Sequence, residues 1–368
     1  MENHIMMEYI REEAVILRRL VKDRKELTAA FVKHLTTHTV KKIYFSGHGS
    51  PYHVGIIVKP MLEKLLSIEV SAEISTLFNN HSGFNVNGVY KGGEQLLICP
   101  AQSGRTTGPY YAAVKARELG IPVLCLTLRP EGKLAKESDI VIVKDSGEEE
   151  SFPETKGHLT SVALLMLCVL EAAYAMGKLS QEAYGEYMEA FERLPGACSR
   201  AMEATLVWYE KQKSVLMEES CASIIGYGEN YGTALEGAMK VQESTLKAWS
   251  GYECEEYMHG KNQAVLQNSV LFFLYAKVGG PETERMQQLV QWCRERSRHC
   301  FVVGKKGNPL EDETSICWEA VDHPYLSAIE YHIPFQVLSY KLATDMGLST
   351  IVANHDFAGA QLKTRIEE

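Results

Sequence analysis

Three charged side chains in the stretch ALEGAMKVQESTLKAW, residues 234–249, are of types that serve acid–base chemistry and share a helical spacing. Glu236, Lys240 and Glu243 stand at i, i+4 and i+7, which puts them on one face of a helix. The bland alternative is a solvated salt-bridge ladder. Against it, Ala234, Ala238, Met239 and Leu246 leave this helix little exposed face. Sixteen residues past Glu243, the segment EEYMHG brings His259 in front of Gly260. A carboxylate and a histidine near a bound sugar would suit proton transfer. A second group of residues suits an anion. In PAQSGRTTG, residues 100–108, an apolar run ends and Gln102, Ser103, Gly104, Thr106 and Thr107 follow. Hydroxyls can donate to phosphate oxygens, Gly104 lets the backbone come close, and a helix mouth adds free N–H groups and partial positive charge. The competing reading makes Thr106 or Thr107 a plain N-cap.

The elements that must position these residues are strands alternating with helices. KKIYFSG, SIEVSAEIS, QLLICPA, IPVLCLTL and SDIVIVKDS read as five strands, with a helix predicted over Pro109–Leu119. Nearly continuous apolar strands of this kind belong to parallel sheets covered on both faces. HLTSVALLMLCVLEAAYAM is a long buried helix, and a polar helical connector spans residues 180–218. The pattern then restarts with ASIIGYGENYGTALEG, followed by SVLFFLYA, RHCFVVG and SICWEAV as strands and AIEYHIPFQVLSYKLATDMG as a helix. Gly47 and Gly49 recur as Gly226 and Gly228, both pairs 179 residues apart, so the chain is predicted to be a duplicated α/β lobe. Neither turn completes G-x-G-x-x-G, since Tyr52 and Tyr231 hold the third position. That favours tight strand-to-helix turns over a dinucleotide site, with a nicotinamide enzyme as the lesser alternative. The loop in LYAKVGGPETER, the second lobe's counterpart of PAQSGRTTG, lacks the serine–threonine cluster.

With 368 residues, two domains are expected. A net charge of −9 argues against a nucleic-acid partner but not against an anionic small molecule. Nine scattered cysteines, none in C-x-x-C, read as reduced thiols of a cytoplasmic protein. The start MENHIMMEYIREE becomes charged at once, so no secretory signal is expected. The longest apolar run, Val162 to Leu170, is shorter than the roughly 20 residues that span a bilayer, so no membrane partner is expected. No clustered ligand set suggests a metal, and no organic cofactor is expected.

Taken together, these segments resemble the double-SIS (sugar isomerase) family, including the isomerase part of glucosamine-6-phosphate synthases, over nearly the whole chain. QSGRTTGPYYAAVKARELGIPVLCLT resembles the family's S-x-S-G-x-T loop with its helix and strand, and ETKGHLTSVALL its S/E-T-K segment. ALEGAMKVQESTLKAWSGYECEEYMHG resembles A-L-E-G-A-L-K-L-K-E followed by G-E-x-x-H-G-P. The resemblance implies two SIS lobes, each a doubly wound parallel five-stranded sheet in a flavodoxin- or Rossmann-like three-layer sandwich. The segments would be residues 1–36 (helical), 37–190 and 205–348 (the lobes), and 349–368, a tail reaching the active site. It implies that Ser50, Gln102, Ser103, Gly104 and Thr106 hold a sugar 6-phosphate. Glu243 would be the base between C1 and C2, and His259 would aid ring opening from the neighbouring subunit of a homodimer. Lys240, Glu236 and Lys363 would line the pocket.

The sequence departs from the family's pattern at several positions, Ala101 among the phosphate donors and Glu154 near the substrate's C1–C2 end. Ala101, Pro51, Arg105 and Lys261 replace commoner residues, and Glu154 replaces a small polar one. An acidic residue at the Glu154 position is associated with the family's deglycases, which cleave 6-phosphorylated fructosyl-amino acids. Glu2 is not the cysteine nucleophile of a glutaminase, so ammonia from glutamine is not expected. The expected activity is therefore isomerisation of a 6-phosphosugar or release of amine from a 6-phospho-ketosamine. The rival reading is a non-catalytic sugar-phosphate sensor. Such sensors usually carry a helix-turn-helix, and the first 36 residues are too short and too weakly basic for one.

Overall fold

A computed structural model describes residues 4–276, 281–353, 355 and 362–366. The loop expected opposite PAQSGRTTG in the second lobe, residues 277–280, and parts of the expected tail, residues 354, 356–361, 367 and 368, lie outside the described residues. The chain groups into two compact units. One holds residues 16–149, 156–189 and 355–368; the other holds residues 1–15, 150–155 and 190–354.

In the former unit, strands β1 (Lys42–Gly47), β2 (Glu69–Ile74), β3 (Gln95–Pro100), β4 (Val123–Thr127) and β5 (Ile140–Val143) form one parallel sheet in the order β2-β1-β3-β4-β5. The helices around it are α2 (Ser50–Leu66), the short α3 (Ser75–Leu77), α4 (Thr107–Glu118), α5 (Lys133–Lys136) and α6 (Lys156–Ala175). Every residue of β1 and β3 is buried, as continuous apolar strands require when both faces are covered. Each such Leu or Ile stabilises the fold by about 1.5–3 kcal/mol. The helix α6 is, contrary to the apolar-run count, long and apolar enough to cross a membrane by length and composition; most of it is buried inside the protein, as in a core helix. Two long helices, α1 (Ile5–Thr37) and α7 (Gln181–Glu218), precede the first and the second run of strands.

The other unit repeats the order. Strands β6 (Cys221–Gly226), β7 (Ala248–Glu253), β8 (Val270–Tyr275), β9 (His299–Lys305) and β10 (Ile316–Trp318) lie as β10-β9-β8-β6-β7, again parallel. Its helices are α8 (Glu229–Thr245), the short α9 (Cys254–Met258), α10 (Glu282–Arg294), the short α11 (Ser327–Tyr331) and α12 (Ile333–Asp345). Both sheets have the doubly wound order whose ligand crevice lies beyond the carboxyl ends of the strands where the winding reverses, here β1/β3 and β6/β8.

The strand β7 is absent from the sequence reading of this lobe. Its segment AWSGYE has no apolar run, because it is an edge strand buried mainly at Trp249. Gly251 explains the rest: a Cβ there would lie 2.5 Å from the backbone nitrogen of Leu235, so the strand meets α8 main chain to main chain. On its other side α8 meets α12 through Gly237, where a Cβ would fall 2.7 Å from the Phe335 ring.

Candidate active site

The anion-suited loop follows β3. Gly104 adopts φ +66, the left-handed region that glycine occupies without strain, and turns the chain towards α4. The helix starts at Thr107, two residues before the predicted Pro109. Thr106 has the extended N-cap backbone, yet its hydroxyl makes no cap hydrogen bond, so the plain N-cap reading does not account for it. The Ser103 Oγ accepts the Arg105 N–H at 3.4 Å, and the buried Gln102 Oε1 has no hydrogen-bond partner among the described residues. Ser50, buried, opens α2 beyond the carboxyl end of β1, next to β3 in the sheet. The sequence reading passed over His48 in the G-H-G turn. It packs on the first turn of α4, where a Cβ on Gly108 would come 2.4 Å from its ring, and burial pushes its imidazole down towards the neutral form.

The tail joins this loop. Thr107 N–H donates to the Thr364 carbonyl at 3.1 Å and Ile366 N–H to the Arg105 carbonyl at 2.8 Å, an antiparallel bridge between Thr106 and Arg365. Lys363, exposed and at φ +52, is thereby held next to the loop.

The carboxylate group lies in the other unit. Glu236, Lys240 and Glu243 do share one face of α8, and the ladder is not solvated: Glu236 and Lys240 are fully buried. The Lys240 ammonium is 2.7 Å from Glu243 and 3.4 Å from Glu236. Burial alone would push Lys240 down. Glu236 and Glu243, with a further contribution from Glu154, outweigh it and hold the ammonium charged. Burial pushes the Glu243 carboxyl up; Lys240 opposes this, and Glu236 and Glu154 reinforce it. A carboxylate raised by desolvation while bonded to a cation is the usual condition of a general base working near neutrality. A His332 ring nitrogen lies within 4.8 Å of a Glu236 oxygen, a neighbour the sequence reading did not single out.

His259 is placed differently. It closes the short α9 with its side chain 77% exposed, 3.9 Å from the Glu255 carboxylate. The two groupings are thus Ser50, Gln102, Ser103, Gly104, Thr106 and Lys363 in one unit, and Glu154, Glu236, Lys240, Glu243 and His259 in the other.

The doubly wound lobe is made twice, with a hydroxyl-bearing loop after β3 and a helix carrying the buried Glu236 and Lys240 after β6. The family model described as SIS domain matches residues 38–176 and 216–346. The chain belongs to the SIS family, with the two-lobe fold of that family's phosphosugar isomerases. It is 26% identical over 356 residues to glutamine–fructose-6-phosphate aminotransferase (isomerizing) of Streptococcus agalactiae, covering 93% of this chain and 56% of the relative. The chain thus spans about half the length of the curated relatives it matches. Among solved structures, a candidate phosphosugar isomerase of Clostridium difficile superposes with TM-score 0.85 at 24% identity, over 97% of this chain and 98% of that one. The C-terminal domain of glucosamine-fructose-6-phosphate aminotransferase from Francisella tularensis does so with 0.82 at 20%, over 94% and 98%. For tagatose-6-phosphate ketose/aldose isomerase from Escherichia coli the TM-score is 0.74 at 17%, over 96% and 97%. At these identities the structural likeness carries the fold.

Proposed function

We propose that the protein is a cytoplasmic enzyme acting on a 6-phosphorylated ketosamine or amino sugar, as a deglycase or an aldose–ketose isomerase. The observation that carries this reading is a gathering of carboxylates: the buried Lys240 ammonium lies 2.7 Å from Glu243 and 3.4 Å from Glu236, Glu154 acts on both Lys240 and Glu243, and such a group suits a substrate that brings an amine. In this reading the Gln102–Thr107 loop, with Ser50 and Lys363, takes the 6-phosphate. Glu243 removes a proton from C1 of the ketosamine, leaving a 1,2-enaminol. Return of the proton to C2 gives an imine at C1, and water splits it into a 6-phosphoaldose and the free amine. With a simple hexose phosphate, the same two proton transfers interconvert ketose and aldose. Lys240 holds Glu243 in place and steadies the charge that develops at O2. His259 assists ring opening from a second copy in a homodimer, a reading that its solvent exposure supports.

The test is a screen of 6-phosphofructosyl amino acids, glucosamine 6-phosphate and hexose 6-phosphates, measuring amine release and sugar product together with binding. Glu243→Gln should keep phosphosugar binding and lose turnover by about 10²- to 10⁴-fold. Normal turnover by that variant would remove Glu243 as base. Binding of the whole panel with no turnover by the wild type would make the protein a sensor.

A further inference from the structure

The helix α12 turns a polar stripe towards α8 that this chemistry does not use. His332, Gln336 and Ser339 stand at i, i+4 and i+7 and are all buried. Opposite them, Glu236, Lys240 and Ser244 stand at i, i+4 and i+8 and are equally buried. The two stripes are joined at one end by hydroxyls: Ser339 Oγ donates to the Lys240 carbonyl at 2.8 Å and lies 2.5 Å from Ser244 Oγ. At the other end a His332 nitrogen lies within 4.8 Å of a Glu236 oxygen. Between them, Gln336 Nε2 donates at 2.7 Å to Glu13, itself fully buried. Burying so many polar groups between two helices is costly, and the bonds they do make favour one arrangement of the group.

We infer that His332 is a positioning residue: it engages the Glu236 carboxylate from the α12 side and keeps the Lys240 ammonium on Glu243. The unequal distances from Lys240, 2.7 Å to Glu243 and 3.4 Å to Glu236, are what this arrangement produces. A carboxylate that has a second partner competes less for the ammonium. His332 acts through Glu236 and Lys240, and its importance for turnover rests on the reading of Glu243 as the base.

Two readouts on full-length His332→Leu and His332→Gln test the inference. The first is the ¹H–¹⁵N spectrum of lysine side-chain ammonium groups, with the Lys240 signal identified by its loss in Lys240→Met. The second is steady-state kinetics on whichever panel substrate the wild type turns over. His332→Leu should shift the Lys240 signal and lower kcat about tenfold, with KM within about twofold. His332→Gln, which still offers a hydrogen bond, should restore most of both. A merely structural role would lower the melting temperature of both variants alike and leave the Lys240 signal and kcat unmoved; that result overturns the inference. If His332→Leu does not fold, His332→Thr, too short to reach the carboxylate, is judged by the same readouts. If the wild type turns over nothing, the functional reading fails, while the Lys240 signal still decides the positioning role.

Discussion

Two helices hold the same place in the two lobes, and only one carries charge in its buried face. Both α2 and α8 follow a strand through a G-x-G turn, and their N-cap glycines share one backbone: φ 59, ψ −131 at Gly49 and φ 56, ψ −134 at Gly228. Both run 17 residues and end on a left-handed residue, Ser67 or Leu246. The strand registers match as well, Lys42↔Glu69 to Gly47↔Ile74 against Cys221↔Ala248 to Gly226↔Glu253. The glycine offset, 228 − 49 = 179, sets Ile57 against Glu236, Met61 against Lys240 and Lys64 against Glu243. Ile57 and Met61 are as deeply buried as Glu236 and Lys240. The scaffold therefore accepts two apolar side chains or an ion pair at one position. Since apolar residues serve stability there at least as well, stability alone does not call for the ion pair at this position.

The largest expected effects break that comparison directly. Lys240→Met alone leaves Glu236 buried without its counter-ion and should cost about 3–5 kcal/mol of stability. Glu236→Ile with Lys240→Met installs the sister lobe's pair. It should be more stable than Lys240→Met, because Glu236 no longer lies buried without a cation, although Glu243 still loses its own, while turnover falls to background. Denaturant unfolding of the two variants decides. A double variant less stable than Lys240→Met would show that the two helices are not equivalent hosts.

A second, smaller effect separates the phosphate loop from α8. On the proposed reading of the loop, Ser103→Ala with Thr106→Val removes two donors to the 6-phosphate dianion, each worth about 1.5–3 kcal/mol. KM should rise by at least about tenfold with kcat within about twofold, because uniform binding is lost and the base is untouched. A fall in kcat at constant KM would mean that the loop acts on the reacting end of the substrate.

Much of this arrangement was legible in the chain. The strands β1, β3, β4, β6, β8 and β9 are apolar runs because both faces of each are covered, and the repeated G-x-G turns announce the duplication. Glu236, Lys240 and Glu243 were legible as a face. The apolar neighbours Ala234, Ala238 and Met239 pointed to little exposure, but the element that buries Glu236 and Lys240, α12 docking through Gly237, was not legible, since no spacing within α8 encodes it. His332 gave no signal, since one histidine in an apolar helix reads as core. The strand β7 was hidden because an edge strand needs no apolar run. Nor could the pairing of residues 364–366 with Arg105–Thr107 be read, as it consists of a few backbone hydrogen bonds between segments far apart in sequence.

The smallest effect concerns where each helix crosses its edge strand. In the first lobe the glycine is on the helix: a Cβ on Gly55 would lie 3.3 Å from the Ala72 Cβ. In the second lobe it is on the strand: a Cβ on Gly251 would lie 2.6 Å from the Ala234 carbonyl carbon. The same offset of 179 carries Gly55 to Ala234 and Ala72 to Gly251, so each crossing keeps one glycine and one alanine in opposite places. Gly251→Ala should destabilise by about 1–3 kcal/mol through overpacking. Ala234→Gly costs about 0.5–1 kcal/mol as a glycine inside a helix. If the crossing is one unit with a single vacancy for a methyl group, the double variant should recover about 1 kcal/mol relative to the sum of the singles. Additivity within about 0.3 kcal/mol would mean that Gly251 answers to the backbone of α8 alone, and that the mirrored pair plays no part in holding α8, and with it Glu243, against the sheet.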